Sequence, residues 1–436
     1  MAPVDPTSFP PDFVWGAATS SYQIEGAVDA DGRSESIWDR FCRRPGAISD
    51  GSDGSVACDH YHRMADDVAL MADLGLGAYR FSVAWPRIVP DGVGDVNETA
   101  LDFYDRLVDA LLAAGIAPYA TLYHWDLPQV LEDGGGWTNR ATADAFAAYT
   151  EAVVARLGDR VASWATLNEP FVSASHGYRN GWHAPGRTSL PDALAAAHHL
   201  LLAHGQGLEV VRALAPGAEA GIVLNFTPVV PADDEAVGAA AVVDGWENRW
   251  YVEPLAGTGY PQDTATALGW DGAEVVDGDL QLIAAPIDVL GVNYYTRQLI
   301  DRNGELAPPR LPVTDMDWEI DPPSLGGLLR RLHREHRFDR YLITENGMAA
   351  PDEADGGGFV DDGDRIAYLD AHLAEVAAAR ADGVPVDGYF AWSLFDNFEW
   401  AFGYEKRFGL VRVDYDTLVR TPKASALWYR DLITAT

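Results

Sequence analysis

Ser163-Trp164-Ala165-Thr166-Leu167-Asn168-Glu169-Pro170 is a short apolar, aromatic and β-branched run that ends on an amide and a carboxylate, immediately before a proline. Such a run reads as a buried strand, and Pro170 removes a backbone donor and forces the chain to turn. The same construction recurs at residues 340–345, which end in Ile343-Thr344-Glu345, with Asn346-Gly347 supplying the turn. Outward from these two, residues 13–19, 78–85, 117–125, 220–227, 289–296 and 387–393 have the same character. Most of the eight are apolar throughout rather than alternating, as strands of a parallel sheet covered on both faces are.

Amphipathic helical patterns separate several of these runs. Leu101, Tyr104, Val108 and Leu111 share one helix face by 3,4,3 spacing, and so do Ile366, Leu369, Leu373 and Val376. Eight βα units predict an α/β fold: a single (β/α)8 TIM barrel over residues 1–436, with extended βα loops around the mouth. The length alone would suggest two or three domains, but a barrel with insertions absorbs it and no Ser/Gly/Pro linker divides the chain. Residues 29–62, 179–192 and 302–327 are then loops around the mouth.

Functional residues of such a barrel sit at the C-terminal strand ends. Gln23, His124, Asn168 with Glu169, Asn293 with Tyr295, Glu345 and Trp392 fall at or just beyond the tails of their runs; Arg80 lies early in its run. A lone glutamate at a strand end could cap a helix or pair with a loop arginine. Two of them on strands four and seven, opposite across the mouth and each held by a constrained turn, can instead cut a glycosidic bond. One would act as acid/base and the other as nucleophile, with the carboxyls about 5–5.5 Å apart for retention or about 6.5–9.5 Å for inversion. Two nearby carboxyls resist ionising together, and Arg80 and Tyr295 are candidates to keep one of them ionised while the other holds its proton.

Trp392-Ser393-Leu394-Phe395-Asp396-Asn397-Phe398-Glu399-Trp400 is either a packed loop or a sugar platform. In the second reading the indoles of Trp392 and Trp400 face the apolar side of a pyranose while Glu399 accepts from two hydroxyls, and Gln23, His124 and Trp125 complete the site.

Charge narrows the partners. Sixty-six acidic residues against 31 basic leave a net of −35, and the only lysines are Lys406 and Lys423. Nucleic acid and anionic membranes, which need a basic patch, are excluded as partners. The acidity serves solubility or adaptation to high salt. Cys42 and Cys58 are too few for a disulfide framework, and no Cys/His spacing fits a metal. The histidine pairs 60/62, 198/199 and 333/336 read as surface or packing residues. Gly134–Gly136 and Gly356–Gly358 read as flexible loops without phosphate-binding spacing, and the acidic stretch 352–364 reads as solvated rather than calcium-binding. No cofactor or metal is expected. The first residues, Met1-Ala2-Pro3-Val4-Asp5-Pro6, carry no secretory pattern and no run is long enough to span a membrane, so a cytoplasmic location is expected. Monomer and homo-oligomer both remain open.

With these residues in view, the chain resembles glycoside hydrolase family 1, the β-glucosidase family, from end to end. The resemblance rests on six elements in family order: the stretch from Phe13-Val14-Trp15-Gly16 to Gln23-Ile24-Glu25-Gly26; Tyr79-Arg80-Phe81-Ser82; His124-Trp125-Asp126-Leu127-Pro128; Asn168-Glu169-Pro170; Glu345-Asn346-Gly347; and residues 392–400. It implies Glu169 as acid/base and Glu345 as nucleophile. It implies Gln23, His124, Asn168, Glu399 and Trp400 as contacts to the terminal sugar, Arg80, Asn293 and Tyr295 beside the nucleophile, Trp392 as platform and Trp318 on the leaving-group side. The implied activity is retaining hydrolysis of terminal β-D-glucosides, with β-D-galactosides and β-D-fucosides as neighbours, and the substrates are small β-glycosides or oligosaccharides. A transglycosylating enzyme and a catalytically silent sugar-binding relative are the alternatives. Glu169 stands where myrosinase-like members carry Gln, and Glu399-Trp400 resembles members acting on unphosphorylated sugars. The stretches Asp321-Pro322-Pro323-Ser324 and Trp250-Tyr251-Val252-Glu253-Pro254 depart from the family pattern on the leaving-group side.

Overall fold

The computed structural model describes residues 4–436; residues 1–3, part of the N-terminal stretch read above, lie outside the described residues. Eight strands, β1 (Val14–Ala18), β2 (Ala78–Ser82), β3 (Ala117–Tyr123), β4 (Ser163–Asn168), β5 (Glu219–Asn225), β6 (Val289–Asn293), β7 (Tyr341–Asn346) and β8 (Val386–Trp392), close into one barrel. Every pairing is parallel and each strand lies beside its sequence neighbour, with β1 closing on β8 through Val14↔Gly388 to Ala18↔Trp392. This is the predicted (β/α)8 barrel. The strands are buried along nearly their whole length, which is why their sequences lack alternation.

Helices wrap the outside. The helix Glu98–Ala113 buries Leu101, Tyr104, Val108 and Leu111, the stripe its spacing predicts. The helix Gly363–Ala381 buries Leu369, Leu373 and Val376, while Ile366 lies half-buried at the stripe's edge and Arg365 and Tyr368 complete the inner face. Each fully buried leucine or valine contributes roughly 1.5–3 kcal/mol of transfer free energy. Inside the barrel, Ala18, Ala78, Tyr119, Val289, Leu342, Phe390 and Trp392 pack together, with small residues on β1 and β2 making room for the Tyr119 and Phe390 rings, 5.0 Å apart.

Strand ends fall short of the expected runs for a physical reason. Trp85 opens a one-turn helix on Pro86, and Trp125 (φ 74°) and Glu169 (φ 48°) adopt left-handed backbone, which ends a strand. The mouth segments are not bare loops: they hold the helix Ile37–Cys42, the end of the π-helical turn Ser173–Asn180 and the start of the helix Pro322–Glu335.

Two expectations are corrected. Gly136 belongs to a packed corner, not a flexible loop: it is buried at φ 57°, and a Cβ there would strike the Glu132 carboxylate and the Tyr178 hydroxyl. The stretch 352–364 is not uniformly solvated. Asp352 pairs with Arg365 at 3.1 Å and with Lys423, and Asp362 pairs with Arg365 and accepts from Ser425 Oγ at 2.6 Å. Their side chains are only 2% and 1% exposed. Among the histidines, His60 is buried against Asp67 (2.8 Å), His198 bonds Tyr260 and Asp279, and His62 is exposed, as packing and surface residues are. Among the described residues no helix is long and apolar enough to cross a membrane.

Candidate active site

The C-terminal strand ends bring Glu169 and Glu345 to one buried polar cluster. Glu345, at the end of β7, accepts from Arg80 Nη1 through Oε1 (2.5 Å) and from the Tyr295 hydroxyl through Oε2 (2.7 Å). Arg80 sits mid-strand in β2, and its length carries the guanidinium up one layer to the strand ends, so the early position in the run is no exception. Its Nη2 donates to Asn168 Oδ1 (2.7 Å). That oxygen also accepts from Asn293 Nδ2 (3.1 Å), which donates in turn to Glu169 Oε1 (2.6 Å). Arg80, Asn168 and Asn293 thus form a continuous bridge between the two glutamates.

The partners of the two carboxyls differ in kind, and this decides which ionises. Burial raises both, but Glu345 has a guanidinium and a phenol holding its charged form, which oppose the rise. Glu169 is pushed up to about 8, first by burial and then by the negative charge of Glu345, with only the neutral amide of Asn293 and the more distant Arg80 acting against it. Near neutral pH the arrangement therefore favours one anion, on Glu345, and one proton, on Glu169.

His124 completes the donor set. Burial, and then Arg80, hold its pKa well below the usual imidazole range, so it is neutral. Asn168 Nδ2 lies 3.2 Å from its Nε2. With the amide donating, Nε2 is the acceptor and the proton sits on Nδ1, which has no partner among the described residues. Glu399 Oε2 likewise has none, and burial followed by the charge of Glu345 raises this carboxyl to about 8. Gln23, in the one-turn helix Ser21–Ile24, is committed to the protein: it accepts from Ser20 Oγ (2.6 Å) and donates to Asn397 Oδ1 and Phe398 O. One lone pair of its Oε1 is left for a hydroxyl.

Aromatic rings wall this cluster. Trp392 and Trp400 stack on the His124 ring at 5.8 and 6.0 Å between centroids, and Trp125 lies 4.6 Å from Trp400 while donating from Nε1 to Asn168 O. Trp125, Glu169 and Trp400 all have positive φ, a cost of order 1–3 kcal/mol each that the surrounding packing offsets. Trp318 packs on Tyr295 (5.5 Å), whose hydroxyl reaches Glu345, and on Phe408 (6.2 Å).

Several supporting residues escape a sequence reading. Thr344 Oγ1 donates to Asn293 Oδ1 (2.7 Å), orienting the amide that reaches Glu169. Asn346 donates to Tyr294 O and accepts from the Tyr389 hydroxyl. Gly347 lets the backbone of Trp392 approach so closely that any Cβ would strike its carbonyl. Asn346 and Gly347 were read only as the turn that ends the run, and for Thr344 adjacency to Glu345 was the only signal. Trp38, 4.6 Å from Trp400, had none.

Comparison with known proteins agrees with this geometry. The profile described as Glycosyl hydrolase family 1 matches residues 5–436. "Beta-glucosidase A" of Acetivibrio thermocellus is 45% identical over 98% of both chains. The "Bifunctional beta-D-glucosidase/beta-D-fucosidase" of Bifidobacterium breve is also 45% identical over 98% of both. A solved "Family 1 b-glucosidase from Thermotoga maritima in complex with isofagomine lactam" superposes with a TM-score of 0.95 at 42% identity, covering 98% of each chain. By sequence and by fold, the chain belongs to glycosyl hydrolase family 1.

Proposed function

We infer that the chain is a retaining β-glucosidase, which removes terminal non-reducing β-D-glucosyl residues through a covalent glycosyl-enzyme. The observation that carries this reading is the Arg80–Asn168–Asn293 bridge joining two buried glutamates with unlike partners. In the proposed sequence Glu345, the anion, attacks the anomeric carbon while Glu169 gives its proton to the departing glycosidic oxygen. Glu169, now charged, takes a proton from water. That water attacks the same carbon, and the bond to Glu345 breaks to regenerate the carboxylate.

The terminal sugar is read as lying among Gln23, His124, Trp125, Asn168, Asn293, Trp392, Glu399 and Trp400. Among the described residues the Nδ1 proton of His124 and Oε2 of Glu399 have no protein partner; the first can donate to a hydroxyl, and the carboxyl of the second can accept from one or, when protonated, donate to one. Arg80 and Tyr295 keep the nucleophile ionised, and Trp318 walls the leaving-group side. β-D-fucosides, which the Bifidobacterium breve relative's name includes, and β-D-galactosides are the nearest alternative donors. Residues 1–436 are read as one catalytic domain. The unpaired thiols of Cys42 and Cys58 support a reducing, cytoplasmic setting, and the net charge of −35 supports adaptation to high salt.

The test is release of 4-nitrophenol from 4-nitrophenyl β-D-glucoside by the parent and by Glu345→Gln. Turnover in the parent and none in the variant is expected; comparable turnover in both would remove Glu345 from the nucleophile role.

A further inference from the structure

A row of aromatic rings leads away from the site along the segment that follows β4. Trp400 contacts Trp125 (4.6 Å), Trp125 contacts His183 (5.5 Å), His183 contacts His176 (5.2 Å) and His176 contacts Trp182 (5.3 Å). Exposure rises along the row: Trp400 is 4% and Trp125 8% exposed, the two histidines are half-buried, and Trp182 is 62% exposed. The row therefore runs from the enclosed site toward solvent. Phe171, two residues beyond Glu169, flanks it through His176 at 5.7 Å, so the row passes beside the segment that follows Glu169.

Trp182 is the only largely exposed residue among the 14 Trp, and it is not on a loose tip. His183 N donates to His176 O (3.1 Å) and Arg187 N to Gly177 O (2.8 Å), pinning its loop to the π-helical turn. Arg187 pairs with the buried Glu132 and Asp192, and its guanidinium lies over the Tyr178 ring. A large indole held outward at the rim of a sugar site is a binding surface rather than unburied core. Burial keeps His176 and His183 neutral, so these two rings bring no charge to the row. A β-linked glucosyl unit, with its hydroxyls equatorial, presents the complementary apolar C–H faces.

We propose that Trp182 is the stacking platform for a second leaving-group sugar, so that this chain takes β-linked gluco-oligosaccharides of three or more units through an outer subsite. The proposal rests on the β-glucosidase reading above. A single leaving sugar faces Trp125, His183 and His176, and only the sugar beyond it reaches Trp182.

The test is kcat/KM of the parent, Trp182→Ala and Trp182→Phe on 4-nitrophenyl β-D-glucoside, cellobiose and cellotriose. In Trp182→Ala the cellotriose-to-cellobiose ratio should fall about tenfold, the loss of one aromatic contact, and Trp182→Phe should retain most of it. An unchanged ratio, or an equal fall on all three substrates, would overturn the proposal. A parent inert on all three would instead overturn the β-glucosidase reading and remove the basis of this one.

Discussion

Replacing Tyr295 by Phe isolates one hydrogen bond at the centre of the charge arrangement. The phenol donates to Glu345 Oε2 at 2.7 Å, and burial with the neighbouring carboxylates raises its own pKa so far that it remains a donor throughout the working range. Phe keeps the ring contacts to Trp318 and Phe408. What is lost is one bond to the charged form of Glu345, worth about 1.5–3 kcal/mol for a charged acceptor. At 1.36 kcal/mol per unit, the Glu345 pKa should rise by about 1–2 units. The proposed nucleophile works as the anion, so activity is present above that pKa and lost as pH falls through it. A rise therefore moves the acid limb of the kcat/KM profile to higher pH by about 1–2 units. The alkaline limb follows the proton on Glu169, which burial and Glu345 raise, and should move less. Because the two carboxyls interact, both limbs report the pair, and the expected change is a narrowing of the bell from its acid side. The assay is initial-rate hydrolysis of 4-nitrophenyl β-D-glucoside from pH 4 to 9, with the 4-nitrophenolate read after an alkaline quench. An acid limb that stays in place in a folded Tyr295→Phe protein would refute the claim that this phenol holds Glu345 ionised.

Other substitutions probe the remaining parts. Glu169→Ala should slow deglycosylation most with an activated aryl glucoside, and azide should restore turnover by forming β-glucosyl azide; if no azide product appears, Glu169 loses the acid/base role. Lys423→Met leaves Asp396 and Asp352 buried without their shared cation, at a cost of about 3–5 kcal/mol. For a chain of this length that is a fall of about 3–5 °C in Tm, and an unmoved calorimetric Tm would contradict it. If the net charge of −35 is a high-salt adaptation, Tm and activity should both rise from 0.05 to 1 M KCl, as the screening length falls to about 3 Å. Maxima in dilute buffer would refute that.

The barrel was legible because burial on both faces leaves apolar runs, and the candidate cluster because Asn168-Glu169 and Glu345 end their runs and Asn293 lies near the tail of its own. Strand ends were overrun where Trp125 and Glu169 turn left-handed, since backbone sign there is set by packing rather than by residue type. Arg80 looked misplaced because position along a strand says nothing of side-chain reach. The acidic stretch 352–364 was misread for a related reason: Asp352 is buried between two cations beyond the stretch, Arg365 and, 71 residues away, Lys423. Around it, Arg365, Arg407 and Asp396 tie the segment after β7 to the one after β8. Charged residues default to solvent in a sequence reading, and only tertiary pairing reverses that. Trp182 drew no attention for the opposite reason: among 14 Trp, exposure is visible only once the fold is known.

The most direct test of the central claim is peptide mapping by mass spectrometry after incubation with 2,4-dinitrophenyl 2-deoxy-2-fluoro-β-D-glucoside, whose fluorine slows release of the glycosyl-enzyme. The account predicts a single fluoroglucosyl label on Glu345. A label on another residue, or an unlabelled protein that still turns over the parent glucoside, would contradict it.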